Sequence, residues 1–214
     1  IIEPLLKEYG IPDDFKYLAV AESGLQNNSS PAGAAGFWHF MKTTGKEYGL
    51  EINSYVDERY HIEIATRVAA EYLLNAKKRF GSWTLAAASY NAGISGISKQ
   101  QERQLINDSY YDLLLNDETS RYLFRILALK EILSNPYKYG FNYRESDLYK
   151  PISTYKVKVD TAVTNFAVFA KKFNINYKIL KIHNSWLRDN FLKNVSGKEY
   201  FIEIPEEGYY NNLR

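Results

Sequence analysis

Between Ile64 and Ala76 the apolar side chains return every third or fourth position: Ile64, Ala65, Val68, Ala69, Tyr72, Leu73 and Ala76. Residues so spaced share one face of a helix. The pattern predicts a long amphipathic helix from about Tyr60 to Arg79, stopped by Gly81. Such a stripe needs partners, and the same period supplies them. Phe15, Leu18, Ala19 and Glu22 share a face before a stop at Gly24. A helix beginning near Asp117 carries Tyr122, Ile126, Leu129 and Leu133 and ends at Asn135-Pro136. Between these, Glu3 to Tyr9 reads as a short helix ending at Gly10, and Asp13 or Asp14 can cap the helix that leads to Glu22. Phe37-Trp38-His39-Phe40-Met41 leads into a helix ending near Gly49, and Ser82 can cap a helix from Trp83 to Tyr90. Gly93 and Gly96 are expected to break the chain. Asn27 to Gly36 is a loop of turn formers and small residues, able to bring backbone close to a ligand or to another segment.

Past Tyr149-Lys150-Pro151 the period changes from helical to two. Tyr155-Lys156-Val157-Lys158-Val159 and Glu199 to Pro205 alternate as strands do. Between them Phe166, Phe169, Ala170 and Phe173 recur at helical spacing, and Leu180 and His183 sit in a second short helix. The reading is therefore a mainly α chain: a helical domain at 1–150, then a small α+β module of strand, helix, helix, strand at 151–214.

Composition narrows the function. The chain has 214 residues, 45% of them hydrophobic and 24% charged, which suits a folded domain and a small module. No apolar run approaches a membrane span. The chain opens on Ile1-Ile2 without Met, so any export segment or membrane anchor would lie outside it. Cys is absent, and the three His residues, 39, 61 and 183, have no paired ligand spacing, so neither a metal nor any other cofactor is expected. The glycines at 33 and 36 do not open a phosphate-binding turn. Thr154 to Pro205 holds nine Lys and Arg against four Asp and Glu, an excess of +5, while the remainder carries −3. That density is too low to favour nucleic acid and leaves anionic lipid or an anionic polymer as partners for the tail. The 19 Tyr suit either a groove that stacks on sugar faces or a Tyr-rich surface.

Glu22 is the residue that points to chemistry. A carboxylate on the apolar face of a last helical turn is partly desolvated, and desolvation raises its pKa. The result is a proton donor at neutral pH, as acetal cleavage requires. A surface Glu paired with a basic neighbour is the alternative for this residue taken alone.

Four ordered segments carry a family resemblance: Ala21-Glu22-Ser23-Gly24; Ser30 to Met41; Ser89-Tyr90-Asn91-Ala92-Gly93; and Glu118-Thr119-Ser120-Arg121-Tyr122. Asp57-Glu58-Arg59 fits as well. Over roughly residues 10 to 135 the chain resembles the family 1 soluble lytic transglycosylase domain. The resemblance implies a lysozyme-like, goose-type helical fold. It also implies non-hydrolytic cleavage of the bond between N-acetylmuramic acid and N-acetylglucosamine in peptidoglycan, leaving a 1,6-anhydro end. It makes Glu22 the sole catalytic acid and base, where ordinary glycosidases use two carboxylates. By the same resemblance Tyr90, Tyr122 and Ser23 support the acid, and His39, Met41, Asn91 and Phe37 meet substrate. His39 stands where family members commonly have Gln, which exchanges a neutral amide for a group that can charge.

The tail resembles a LysM-type carbohydrate-binding module through Tyr155 to Val159, Asp160-Thr161, the Phe-rich helix, Ile182 to Leu187 and Ser196-Gly197-Lys198. The usual Gly before Asp160 is missing. Peptidoglycan glycan strands are the implied partner, with no nucleic acid, membrane contact only through an anchor outside the chain, and a monomeric state. The implied compartment is the periplasm or the outer-membrane side of the envelope. A hydrolytic muramidase or chitinase and a non-catalytic wall-binding scaffold are the rival readings.

Overall fold

The computed structural model describes residues 1–195 and 197–210. Its chain divides into two compact units, Ile1–Leu50 with Ile62–Asn142, and Glu51–His61 with the residues from Tyr143 onward. The expected division lay at 150, and nothing in the local pattern assigned residues 51–61 to the second unit.

The first unit is helical. Helix α1 (Ile2–Glu8) ends before Gly10, whose positive φ turns the chain. Helix α2 (Lys16–Ser23) follows a short 3-10 turn, Asp13–Phe15. Asp13 and Asp14 do not cap it, contrary to expectation. Both already have helical backbone, whereas a cap must be non-helical; they pair instead with Lys16 at 2.8 Å and Lys130 at 2.6 Å. Helix α3 spans Lys42–Glu47, and α4 spans Ile62–Phe80, two residues later than its stripe suggested because Glu58–Tyr60 forms a separate 3-10 turn. Helix α5 (Trp83–Ala92) has Ser82 as its cap, accepting from Leu85 N–H at 3.5 Å.

Helix α6 (Ile94–Gln104) corrects an expectation. Gly93 alone makes the break, at φ 78° and ψ 149°, while Gly96 lies inside the helix. A helical Gly costs about 1 kcal/mol relative to Ala. Complete burial of Ile97 next to it offsets that, at about 1.5–3 kcal/mol. Helix α7 (Asp117–Ser134) is capped by Asn116, whose Oδ1 accepts from Thr119 N–H at 2.8 Å. Tyr122, Leu123 and Ile126 are buried, but Leu133 is exposed, so the apolar stripe fades toward the helix end. Helices α4 and α5 meet through small residues. Ala65, Ala69, Ala76, Ala86 and Ala88 are wholly buried with Leu73 and Leu85 among them.

The second unit carries strands β1 (Thr154–Val159) and β2 (Tyr200–Pro205), paired antiparallel with Thr154 opposite Pro205, and helices α8 (Phe166–Lys171) and α9 (Tyr177–His183) between them. The strand, helix, helix, strand order is as the sequence suggests. Asn165 and Asn176 cap the two helices. Asn184, fully buried, donates to Leu180 O and Glu203 O and accepts from Glu203 N–H, fastening α9 to β2. Phe166, Leu180, Ile202 and Ile204 form the centre of its core. Ser196, one of the residues carrying the LysM resemblance, lies outside the described residues.

Candidate active site

Helix α2 positions Glu22. Phe15, Leu18 and Ala19 anchor its inner face and are buried, and Gly24 ends it in the left-handed conformation with its N–H on Val20 O at 2.8 Å. Glu22 thus sits in the last turn, half-buried. Burial raises its pKa, and the negative charge of Glu118 adds to the rise. The Tyr122 hydroxyl and the Arg125 guanidinium act in the opposite direction. Tyr122, on α7 and almost wholly buried, donates its hydroxyl to Glu22 Oε1. Its phenol is pushed well above the ordinary value by burial and by the carboxylate beside it, so it remains a donor throughout the physiological range.

Tyr90, on α5, lies close enough for the Glu22 charge to raise its phenol further, after burial. Its hydroxyl donates to Trp38 O at 2.9 Å and not to Glu22. The ring is held by Trp38, Phe40 and Tyr72 at centroid distances of 6.2, 5.8 and 5.2 Å. Tyr72 itself donates to Ser89 O at 2.6 Å, and burial pushes its phenol up to about 12. Trp38 is fully buried, and its indole N–H donates to Thr66 Oγ1 at 2.9 Å, which in turn donates to Ile62 O at 2.6 Å. Ser23 Oγ lies 2.8 Å from Phe37 O and 3.1 Å from Ala19 O. The turn at 37–38 therefore offers one backbone carbonyl to the helix of the acid and the next to Tyr90.

The remaining predicted residues occupy different surroundings. Asn91 bridges α5 to the start of α7, donating to Glu118 Oε1 at 3.1 Å and accepting from Thr119 Oγ1 at 2.8 Å. It fixes the carboxylate that acts on Glu22. His39 has a left-handed backbone, φ 47°, and its Nε2 lies 3.0 Å from Asn28 Oδ1. Burial lowers its pKa, so its ring is neutral at pH 7. Met41 is 44% exposed at the start of α3, free to touch a ligand. Phe37 lines a cavity of about 420 Å³ with Tyr17, Val20, Leu25 and Leu133, in which none of the other predicted site residues takes part.

Four contributors escaped sequence reasoning. Glu118 and Trp38 stood inside quoted segments without a role. Thr66 is a Thr on an apolar stripe, a pattern that signals a buried hydroxyl in need of a partner. Arg125 lies one turn after Tyr122, where helical spacing places it near the same carboxylate.

Residues 1–111 match the family model described as the transglycosylase SLT domain, and residues 155–208 match the soluble lytic transglycosylase C-terminal LysM-like domain. Tyr122 and Glu118 fall beyond the first match. Over 208 residues the chain is 28% identical to a membrane-bound lytic murein transglycosylase D of Escherichia coli strain K12, covering 94% of this chain and 45% of the relative. The protein of the same description from E. coli O6:H1 matches with the same figures. The chain thus spans less than half the length of these relatives. A solved structure of an inactive mutant of the lytic transglycosylase Slt from Pseudomonas aeruginosa aligns at 22% identity and a TM-score of 0.47, covering 66% of this chain and 24% of that one.

Proposed function

Because this chain belongs to the transglycosylase SLT domain family, we propose that it is a peptidoglycan lytic transglycosylase with Glu22 as its single acid and base. One observation carries the reading. Glu22 is a partly desolvated carboxyl, raised in pKa and held in place by a phenol that stays protonated. Such a group holds its proton to higher pH than a free carboxyl does and can deliver it to a glycosidic oxygen.

In the proposed sequence Glu22 protonates the oxygen leaving C1 of N-acetylmuramic acid, and the substrate's own N-acetyl group stabilises C1. The Glu22 carboxylate then takes the proton of the C6 hydroxyl as that oxygen bonds to C1. The acid ends protonated again, and no water is consumed. The nucleophile belongs to the same sugar, which removes the entropic cost of bringing one in. Tyr122 orients the carboxyl, and Tyr90 with the turn at 37–38 shapes the wall beside it. His39 and Met41 are assigned to substrate contact. The LysM-like tail, with its basic excess, is assigned to the glycan or to anionic wall polymer. The working compartment is the cell envelope, on the periplasmic or outer-membrane side, in keeping with the membrane-bound murein enzymes it resembles. Among the described residues no helix is long and apolar enough to cross a membrane.

Digestion of purified sacculi followed by mass spectrometry tests the reading. Muropeptides ending in anhydro-muramic acid are expected. Reducing ends, heavier by one water, identify a hydrolase instead, and undigested sacculi leave a binding protein.

A further inference from the structure

We infer that the LysM-like unit is a three-part fold whose third part is the segment Glu51–His61, an intramolecular partner seated on the face formed by the loop after α9 and the start of β2. The C-terminal family match, 155–208, leaves this segment out, and the transglycosylase match, 1–111, contains it. The structure groups it with the tail.

The seat is built on three kinds of contact. Val56 is fully buried within the core cluster that also holds Leu187, Trp186 and Ile202. Around it the backbones pair as a short antiparallel bridge. Arg188 N–H donates to Tyr55 O at 2.7 Å, and Asp57 N–H donates to Trp186 O at 2.9 Å. Charges then complement one another. Lys198 lies 2.6 Å from Glu51 and 3.1 Å from Glu58, and Tyr200 OH lies 3.0 Å from Glu51. The Arg188 guanidinium covers the Tyr60 ring at 4.1 Å. The segment is also shaped for its seat, since Asn53 Oδ1 accepts from Tyr55 N–H and Val56 N–H and so fixes the turn before Val56.

Two consequences follow. Without Val56 the core cluster loses a fully buried member and is left with a cavity, so the tail is destabilised when it is detached from the segment. While the segment is seated, the face made by Trp186, Leu187, Arg188, Lys198 and Tyr200 is occupied by this chain and closed to a glycan strand.

Hydrogen exchange on the full chain tests this, with a readout independent of any cleavage activity. In Val56→Asp, amides of β1 and β2 are expected to lose protection at least tenfold, while those of α4 and α5 stay as in the wild type. Lys198→Glu, which sets a third carboxylate against Glu51 and Glu58, is a milder variant. It is expected to loosen the same strands, and adding Glu51→Lys is expected to restore them. Wild-type protection of β1 and β2 in both Val56→Asp and Lys198→Glu overturns the inference and makes the segment a passenger.

Discussion

Tyr122 donates its hydroxyl to Glu22 Oε1 across 100 residues of sequence, joining the last turn of α2 to the first half of α7. This bond favours the carboxylate, so it restrains the rise that burial imposes on Glu22. In Tyr122→Phe the pKa of Glu22 goes up, and the alkaline limb of the pH–rate profile moves to higher pH. Turnover at the optimum falls by about 10²-fold, the scale of losing a group's orientation. An unmoved limb removes Tyr122 from the tuning of the acid.

Glu118 acts in the opposite sense. Its charge raises Glu22, so Glu118→Gln lowers the pKa of the acid and draws the alkaline limb to lower pH. The Gln oxygen can still accept from Asn91, which separates the charge effect from loss of the link between α5 and α7. The pair of variants, shifting the same limb in opposite directions, is measured by turnover of sacculi between pH 5 and 9.

Glu22→Gln trades activity for stability. Loss of the proposed general acid is expected to lower turnover by about 10²–10⁴-fold. The folded state holds its proton on Glu22 more tightly than the unfolded chain, so wild-type stability falls as pH rises through the raised pKa. The Gln variant escapes that loss. Its Tm is expected above wild type at pH 7, with the gap closing as pH falls toward the ordinary carboxylate range. A lower Tm for Glu22→Gln at pH 7 is the adverse result.

His39 has the reverse sign. Burial lowers its pKa, so the unfolded chain takes up a proton first as pH drops through about 6.5, and the wild type loses stability there. Replacing it with Gln removes the titration and leaves a side chain able to reach Asn28. The Tm difference between His39→Gln and wild type is expected to grow from pH 7 to pH 5. A difference that stays constant with pH refutes the desolvated ring.

Thr66→Val keeps the shape of a wholly buried side chain and removes the partner of the Trp38 indole. An orphaned buried N–H costs about 1–3 kcal/mol. Urea unfolding followed by Trp fluorescence is expected to show a lower midpoint at an unchanged slope.

What the sequence disclosed was local. The stripe ending at Glu22 showed a carboxyl on an apolar face, and the family segments brought Tyr90 and Tyr122 into view as neighbours of the acid. The order of the tail's elements was readable because period two and period 3.6 are short-range signals. Gly96 misled, since its weak propensity is overruled by the burial of Ile97. Asp13 and Asp14 misled because capping depends on which residue is the first to leave helical geometry. Phe37 shares a short segment with Trp38 and His39, but its ring lines a different cavity. The grouping of Glu51–His61 with the tail left no local trace, because the partners that seat it, Leu187, Arg188 and Lys198, lie far along the chain.

That separation governs the order in which the protein can be finished. Lys198 lies 147 positions downstream of the Glu51 it meets, so Val56 leaves the ribosome long before the residues that will enclose it. Until β2 has been synthesised the Tyr55-Val56 pair is a bare apolar site on a nascent chain, and such closures are slow and exposed to misassembly. Recombination that exchanged the tail as a cassette would strand the same residues, so the 51–61 stretch and the tail are expected to be inherited together.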